Sequence, residues 1–279
     1  MTLPRFVSLN GNLLAPAEAH VSIFNPAIFD AFGVYESVQQ YQGVIFRLDD
    51  HLARLAASAD AINLKLPAPL SEIADWTQAI LTANECRDAL IRMFALGPTT
   101  GYHAELFIWP EAPRTLSAEV ARQGVGAITY SGERALPHAK SLNTLVNHMA
   151  RVAAQAAGEH EGLLVNRDGC LTEGASSNLF VVQDGVLLTA PEEEVLAGVT
   201  QLEVLRLAGQ MAIPVLQRPL PLAGMPYWEE SFLTSTSRHV LPLVRLDGRL
   251  IGSGEPGPIT RQLQAAFETM FYAAIAAEA

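Results

Sequence analysis

Ala139-Lys140-Ser141-Leu142-Asn143 carries one of the two lysines of a 279-residue chain, Lys65 being the other, and every remaining member of its 18 basic residues is an arginine. An arginine holds charge equally well, but only an amine forms a Schiff base with a carbonyl compound. Lys140 is therefore a candidate nucleophile, set against the ordinary reading of a solvated surface lysine. The residues that follow, Leu145, Val146, Met149, Val152 and Ala156, recur at helical spacing and predict a helix over 143–157 with that apolar face buried. Lys140 then sits on a loop or strand end just ahead of a helix.

Three further stretches carry groups that chemistry uses. Leu171-Thr172-Glu173-Gly174-Ala175-Ser176-Ser177-Asn178-Leu179-Phe180 sets a carboxylate between a turn and a small-residue loop, with a strand directly after. Glu173 so placed can meet a ring nitrogen at the floor of a site, or serve as a plain turn residue. Ala197-Gly198-Val199-Thr200 opens a predicted helix over 200–211. Its first N–H groups and its dipole make an anion site, to which the Thr200 hydroxyl adds a donor; the same pattern is also an ordinary helix cap. Thr234-Ser235-Thr236-Ser237 follows an apolar strand with hydroxyls that can bind a phosphate or satisfy their own turn.

Working outward, strands over 6–9 and 13–14 flank Asn10-Gly11, the strongest short hairpin signal, and 33–38 pairs with 44–46 across Gln42-Gly43. A helix over 49–64 places Leu52, Leu55, Ala56, Ala59 and Ile62 on one face behind Asp49 as cap. Arg54 lies off that face, so periodicity alone makes it a solvated arginine. A second helix, 71–83, buries Ile73, Trp76, Ile80 and Leu81 behind Ser71. Strands follow over 89–96 and 105–109, the latter stopped by Pro110. The second half is strand-rich, at 127–130, 162–165, 178–182, 186–189, 213–217, 232–234 and 240–246, with a last helix from 260. The fold class is α+β, in two domains: 1–113, a linker over 114–123, and 124–279.

Hydrophobic residues at 49% against 17% charged describe a globular chain, and a net charge of -11 argues against a nucleic-acid partner. No basic-then-apolar leader or membrane-length stretch is present, which predicts a cytoplasmic protein with no membrane partner. Cys86 and Cys170 fit no metal or redox spacing, and the seven histidines show no paired ligand spacing, so free thiols and no metal are expected.

Taken together, the Tyr35-Glu36 hairpin and the stretches 46–55, 140–143, 172–180 and 234–242 resemble, over nearly the whole chain, the fold-type IV pyridoxal-phosphate enzymes. This aminotransferase class IV family includes branched-chain aminotransferases, D-amino-acid aminotransferases and 4-amino-4-deoxychorismate lyases. The resemblance implies a small α/β N-terminal domain, a larger pseudobarrel C-terminal domain, and a homodimer that binds pyridoxal 5′-phosphate. It makes Lys140 the Schiff-base lysine and Glu173 the carboxylate that keeps the pyridine nitrogen protonated. Arg54, in His51-Leu52-Ala53-Arg54-Leu55, matches the family's phosphate arginine, and Val199, Thr200, Ser235 and Thr236 match the rest of its phosphate cradle.

The implied reaction moves an amino group between an amino acid, of D-amino-acid or branched-chain type, or an amine, and a 2-oxo acid acceptor. Lys140-Ser141-Leu142-Asn143 is similar to the D-amino-acid and lyase branches. The branched-chain branch has a longer spacing here, a tyrosine in place of Thr144, and Phe-Glu-Gly-Ile-Arg where this chain reads Tyr35-Glu36-Ser37-Val38-Gln39. Tyr35 matches a carboxylate-contacting tyrosine of the D-amino-acid branch. That branch has Arg-Gly where Leu96-Gly97 stands; Arg92 or Arg238 can replace it as the substrate-carboxylate partner, and each can equally be structural. A lyase that releases pyruvate from an aminated chorismate, and a non-catalytic binding protein on the same fold, are the alternatives.

Overall fold

Asn10-Gly11 makes the first turn of the chain with both residues at positive φ, 48° and 83°, as a two-residue hairpin with right-handed strands requires. It joins β1 (Val7–Leu9) to β2 (Asn12–Leu14). The computed structural model describes residues 3–114 and 116–278. They divide into two units, the first running up to Arg114 and including Ala139–Leu142 and the residues from Ala273 on.

After a short helix, α1 (Pro26–Phe29), the first unit continues with β3 (Gly33–Tyr41), β4 (Val44–Ile45), α2 (Leu48–Asp60), α3 (Leu70–Ala83), β5 (Ala89–Leu96) and β6 (Glu105–Glu111). The strands form one antiparallel sheet in the order β2-β1-β6-β5-β3-β4. Alternation sends Val34, Val38, Ile91, Met93, Leu106 and Ile108 to the face covered by α2 and α3, where Leu52, Leu55, Ile73 and Ile80 meet them. Tyr35, Ser37 and Arg92 stand on the opposite face.

Three local expectations change here. Helix α2 starts from Arg47 in the left-handed region at φ 55°, with no side-chain cap. Asp49 is instead inside the first turn with Asp50, where carboxylates favour the dipole. Helix α3 begins at Leu70 behind Pro69, so Ser71 is already helical. β6 runs through Pro110, which pairs with Ile91 on one side. On its other side the ladder to β1 reaches only Ile108, which leaves the open edge that a proline tolerates.

The second unit holds α4 (Ala118–Gln123), within the stretch expected as linker, then β7 (Val125–Ser131), α5 (Leu145–Ala156), β8 (Glu161–Val165), β9 (Cys170–Gly174), β10 (Asn178–Gln183), β11 (Val186–Thr189), α6 (Val199–Gln210) and β12 (Val215–Gln217). It ends with β13 (Leu220–Pro221), β14 (Glu230–Ser235), β15 (His239–Leu246), β16 (Arg249–Leu250) and α7 (Pro258–Glu278), whose last residues belong to the first unit. Strands β10-β14-β15-β7-β8-β9 follow one another by hydrogen bonding, and the pair Glu173↔Asn178 joins β9 back to β10. That ring is the pseudobarrel, filled by Leu163, Leu171, Leu179, Leu233 and Leu241. The β14 carboxylate of Glu230 accepts from Ile259 N (3.1 Å) and Thr260 N (2.7 Å), which caps α7 from the sheet.

Helix α5 turns most of the expected face outward, although Val146 stays half-buried against Ala150 and Leu164. Leu145, Met149 and Val152 are exposed, whereas Asn147, Ala150 and Ala154 are buried. The cause is close approach to β8: a Cβ on Gly162 would lie 2.5 Å from the Ala150 carbonyl oxygen, so only small residues fit between helix and strand. No helix among the described residues is long and apolar enough to cross a membrane.

Candidate functional site

In the first unit, residues 140–142 lie along the edge of β3 and join it through an isolated bridge. Tyr35 N donates to Lys140 O (2.9 Å), Leu142 N donates to Gly33 O (2.9 Å), and Val34 bridges Ser141. Lys140 N donates in turn to Ser58 Oγ of α2 (3.0 Å). With its backbone fixed on both sides, Lys140 extends Nζ over the Tyr35 ring, 4.6 Å from the centroid. One strand pair further on, Arg92 lies opposite Ser37 and donates from Nη1 to Ser37 Oγ at 2.6 Å. Its guanidinium carbon is 6.0 Å from the same Tyr35 ring. An amine and a guanidinium thus both lie within 6.0 Å of one ring centroid.

Glu36 points the other way, with Val34 and Val38, and is fully buried. Arg54 reaches it from α2 in a two-point grip, Nε donating to Oε2 (2.9 Å) and Nη2 to Oε1 (2.7 Å). His51 Nδ1 lies 3.3 Å from Oε1. Burial pushes the Glu36 carboxyl up, but the Arg54 charge and the His51 contact outweigh it and hold it far below the usual carboxylate range. Burial, with the charges of Arg54 and Lys140, pulls the His51 imidazole down against the attraction of Glu36. Arg54, with 11% of its side chain exposed, is no solvated arginine. The sequence reading missed Glu36 and His51 as its partners, although Val34-x-Glu36-x-Val38 puts the glutamate on the buried face by strand alternation and His51 precedes Arg54 by one helical turn.

In the second unit Glu173 stands inside β9, not in a loop, because residues 170–174 pair with β8 and β13. It faces Asn178 of β10, which faces Thr234 of β14. Glu173 Oε1 accepts from Arg134 Nη1 and Oε2 from Leu196 N, each at 3.1 Å. Asn178 Nδ2 donates to Leu196 O at 2.8 Å, so both atoms of the Leu196 backbone are held. Gly198 follows, packed so closely that a Cβ would lie 2.1 Å from Asn178 Oδ1, and its N–H donates to Gln201 Oε1 (3.1 Å). Val199 and Thr200 are then the first residues of α6, buried, with N–H groups that a helix start leaves without an in-helix acceptor.

Ser235 ends β14 and Thr236 lies in the turn after it. Thr234 Oγ1, beside them, is buried with no hydrogen-bond partner among the described residues. The second unit therefore collects a buried carboxylate, a helix start and several hydroxyls on adjoining strands. These are acceptor and donor types that suit a pyridine nitrogen and a phosphate. Arg134, another residue missed from the sequence, gives no periodic signal because it lies in the irregular stretch between β7 and α5.

The amino-transferase class IV family model matches residues 33–246. A D-alanine aminotransferase of Bacillus licheniformis is 33% identical over 276 residues, which cover 94% of this chain and 95% of that one. The branched-chain amino acid aminotransferase of Escherichia coli superimposes with a TM-score of 0.89 at 28% identity, over 96% of this chain and 95% of that one. A branched-chain aminotransferase of Thermoproteus uzoniensis, solved with norvaline, superimposes with a TM-score of 0.85 at 30% identity, over 94% and 93%. The chain belongs to the amino-transferase class IV family and is an aminotransferase.

Proposed function

We propose that this aminotransferase uses pyridoxal 5′-phosphate to move an amino group between an amino acid or amine and a 2-oxo acid, with Lys140 as its catalytic residue. The observation that carries this reading is the fixation of Lys140 between β3 and α2 with its amine over Tyr35. Lys65, the other lysine, lies exposed on the connection between α2 and α3. Pyridoxal phosphate, when bound, supplies a ring that withdraws electrons from the substrate α-carbon. Lys140 Nζ would hold the cofactor and, as a free amine, would move the proton at that α-carbon. Glu173 holds the proton on the pyridine nitrogen. Val199 and Thr200 at the start of α6, with Ser235, Thr236 and Arg54, bind the phosphate.

For the substrate carboxylate we favour Tyr35 and Arg92. Arg92 keeps 27% of its side chain exposed beside Tyr35 and has Ser37 at 2.6 Å and Glu111 at 3.9 Å as partners. That is a looser hold by its carboxylate than the one on Arg238, whose guanidinium meets Glu161 at 3.0 Å and also Ser235, His160 and Ser176. The D-alanine and branched-chain enzymes among the relatives support an amino-acid donor of one of those two types. A homodimer is supported by exposed Ile23, Phe24 and Phe29 in the first unit and by the bare Leu145-Met149-Val152 stripe in the second. The free thiols of Cys86 and Cys170 suit a reducing cytoplasm.

The purified enzyme should show a visible cofactor band that borohydride abolishes, leaving the cofactor's mass on the Lys140 peptide. Lys140→Ala should lose turnover by about a thousandfold or more. Full turnover in that variant overturns the assignment. Screening L-amino acids, D-amino acids and (R)-amines for those that convert the cofactor band in a single half-reaction names the donor, and pyruvate released without an added acceptor would point to lyase chemistry instead.

A further inference from the structure

Arg238 lies in the turn between β14 and β15 and joins three separate pieces of the second unit. Its Nε donates to Ser235 Oγ (3.1 Å), and Nη1 lies 3.0 Å from His160 Nε2. Nη2 donates to Glu161 Oε2 (3.0 Å), to Ser176 Oγ (2.8 Å) and to Ser176 O (3.2 Å). Glu161, only 1% exposed, also accepts through Oε2 from the hydroxyls of Ser176 and Ser177, both at 3.0 Å. The start of β8, the loop between β9 and β10, and the turn after β14 therefore meet on one guanidinium. Its Nε, Nη1 and Nη2 are all engaged within the second unit, which leaves it poorly placed as the anion receptor for a substrate.

The bond to Ser235 has a direction. Because Nε–H occupies a lone pair of Ser235 Oγ, the hydroxyl proton of Ser235 is left to point elsewhere. A phosphate dianion only accepts hydrogen bonds, so a hydroxyl that holds it must donate. His160 fits the same scheme: burial, then the Arg238 charge, lowers its pKa against the pull of Glu161, so Nε2 stays a neutral acceptor for the guanidinium.

We infer that Arg238 is a positioning residue for the phosphate group: it orients the Ser235 hydroxyl as a donor and ties the 235–238 turn to the 175–177 loop. The inference rests on the reading that Ser235 contacts the phosphate.

The test titrates apoenzyme with pyridoxal phosphate and, separately, with pyridoxal, which lacks the phosphate, and follows binding by absorbance. Arg238→Lys keeps a cation for Glu161 but loses the fork. It should weaken pyridoxal phosphate by about tenfold, as one misdirected hydrogen bond to a charged group would, and leave pyridoxal within about twofold. In a Ser235→Ala background the same substitution should have no further effect on pyridoxal phosphate, since the group it acts through is gone. Unchanged pyridoxal phosphate affinity, equal loss for both ligands, or full additivity with Ser235→Ala each overturns the inference. Should Arg238→Lys fail to fold, Ser176→Ala removes one anchor of the guanidinium and should weaken pyridoxal phosphate selectively by about threefold; no selective loss there overturns it equally. If the wild-type apoenzyme binds both ligands alike, or Ser235→Ala changes nothing, it is the phosphate reading itself that fails.

Discussion

Each unit of this enzyme buries a glutamate against an arginine and a histidine, and the two trios are built differently. In the first unit, Glu36 projects from the middle of β3 and receives both partners from a single turn of α2, so the cluster is a strut between one strand and one helix. In the second unit, Glu161 opens β8, and Arg238 gathers His160, Ser176 and Ser235 from three segments. The first arrangement fixes how a helix lies on a sheet. The second fixes where loops end, which is the greater need where hydroxyls must face a ligand. The same three side-chain types serve packing in one place and loop geometry in the other, and only the origin of the partners distinguishes them.

The comparison breaks most readily at the carboxylates. Glu36→Ala strands Arg54 and His51 in a buried space and should cost about 3–5 kcal/mol in urea unfolding. Glu161→Ala should cost less, about 2–3 kcal/mol, because the two serines that donate to it, Ser176 and Ser177, can turn to other partners. Equal costs would remove the distinction. Next in size is an acid effect that belongs to neither trio. His239 packs on Phe267 and Phe271, and burial lowers its pKa to about 4. Its neutral form is the folded form, so its contribution is present above the unfolded value near 6.5 and is lost as pH falls from there toward 4. His239→Leu should flatten the stability profile in that window by up to about 3 kcal/mol; a profile parallel to wild type would contradict the burial. Smallest is Ser177→Ala, which withdraws one of the donors to Glu161 and should cost about 1 kcal/mol, read as a shift in the denaturation midpoint.

Much of the frame was legible because turn chemistry is local. Asn10-Gly11 and Gln42-Gly43 take the positive φ that their dipeptides suggest, and the helices over 48–60 and 70–83 follow their apolar spacing. What escaped was set by neighbours. Leu145, Met149 and Val152 look like a core stripe, but nothing local reveals that Gly162 lets the helix approach so closely that alanines must take the inner face. Residues 170–174 read as a turn followed by a loop because Asp168-Gly169 precedes them and small residues follow, while their strand character comes from pairing to β8 and β13. Of the proposed site, the lysine, the glutamate ahead of the small-residue loop and the hydroxyl turns were visible as motifs. Arg134 and the partners of Arg54 depend on residues far away in the sequence and could be found only in three dimensions.

Residues 140–142 also have a consequence for the order in which the protein is made. They occupy the edge of β3 at Gly33–Tyr35, where β4 does not reach, since β4 pairs only with Gln40 and Tyr41. A chain emerging from the ribosome can assemble the first sheet through Arg114 yet still expose that edge to other strands until Leu142 has been synthesised. The segment that covers that edge is the one that carries Lys140. A chain whose edge is still open is therefore also one without Lys140, the residue proposed as its catalytic amine.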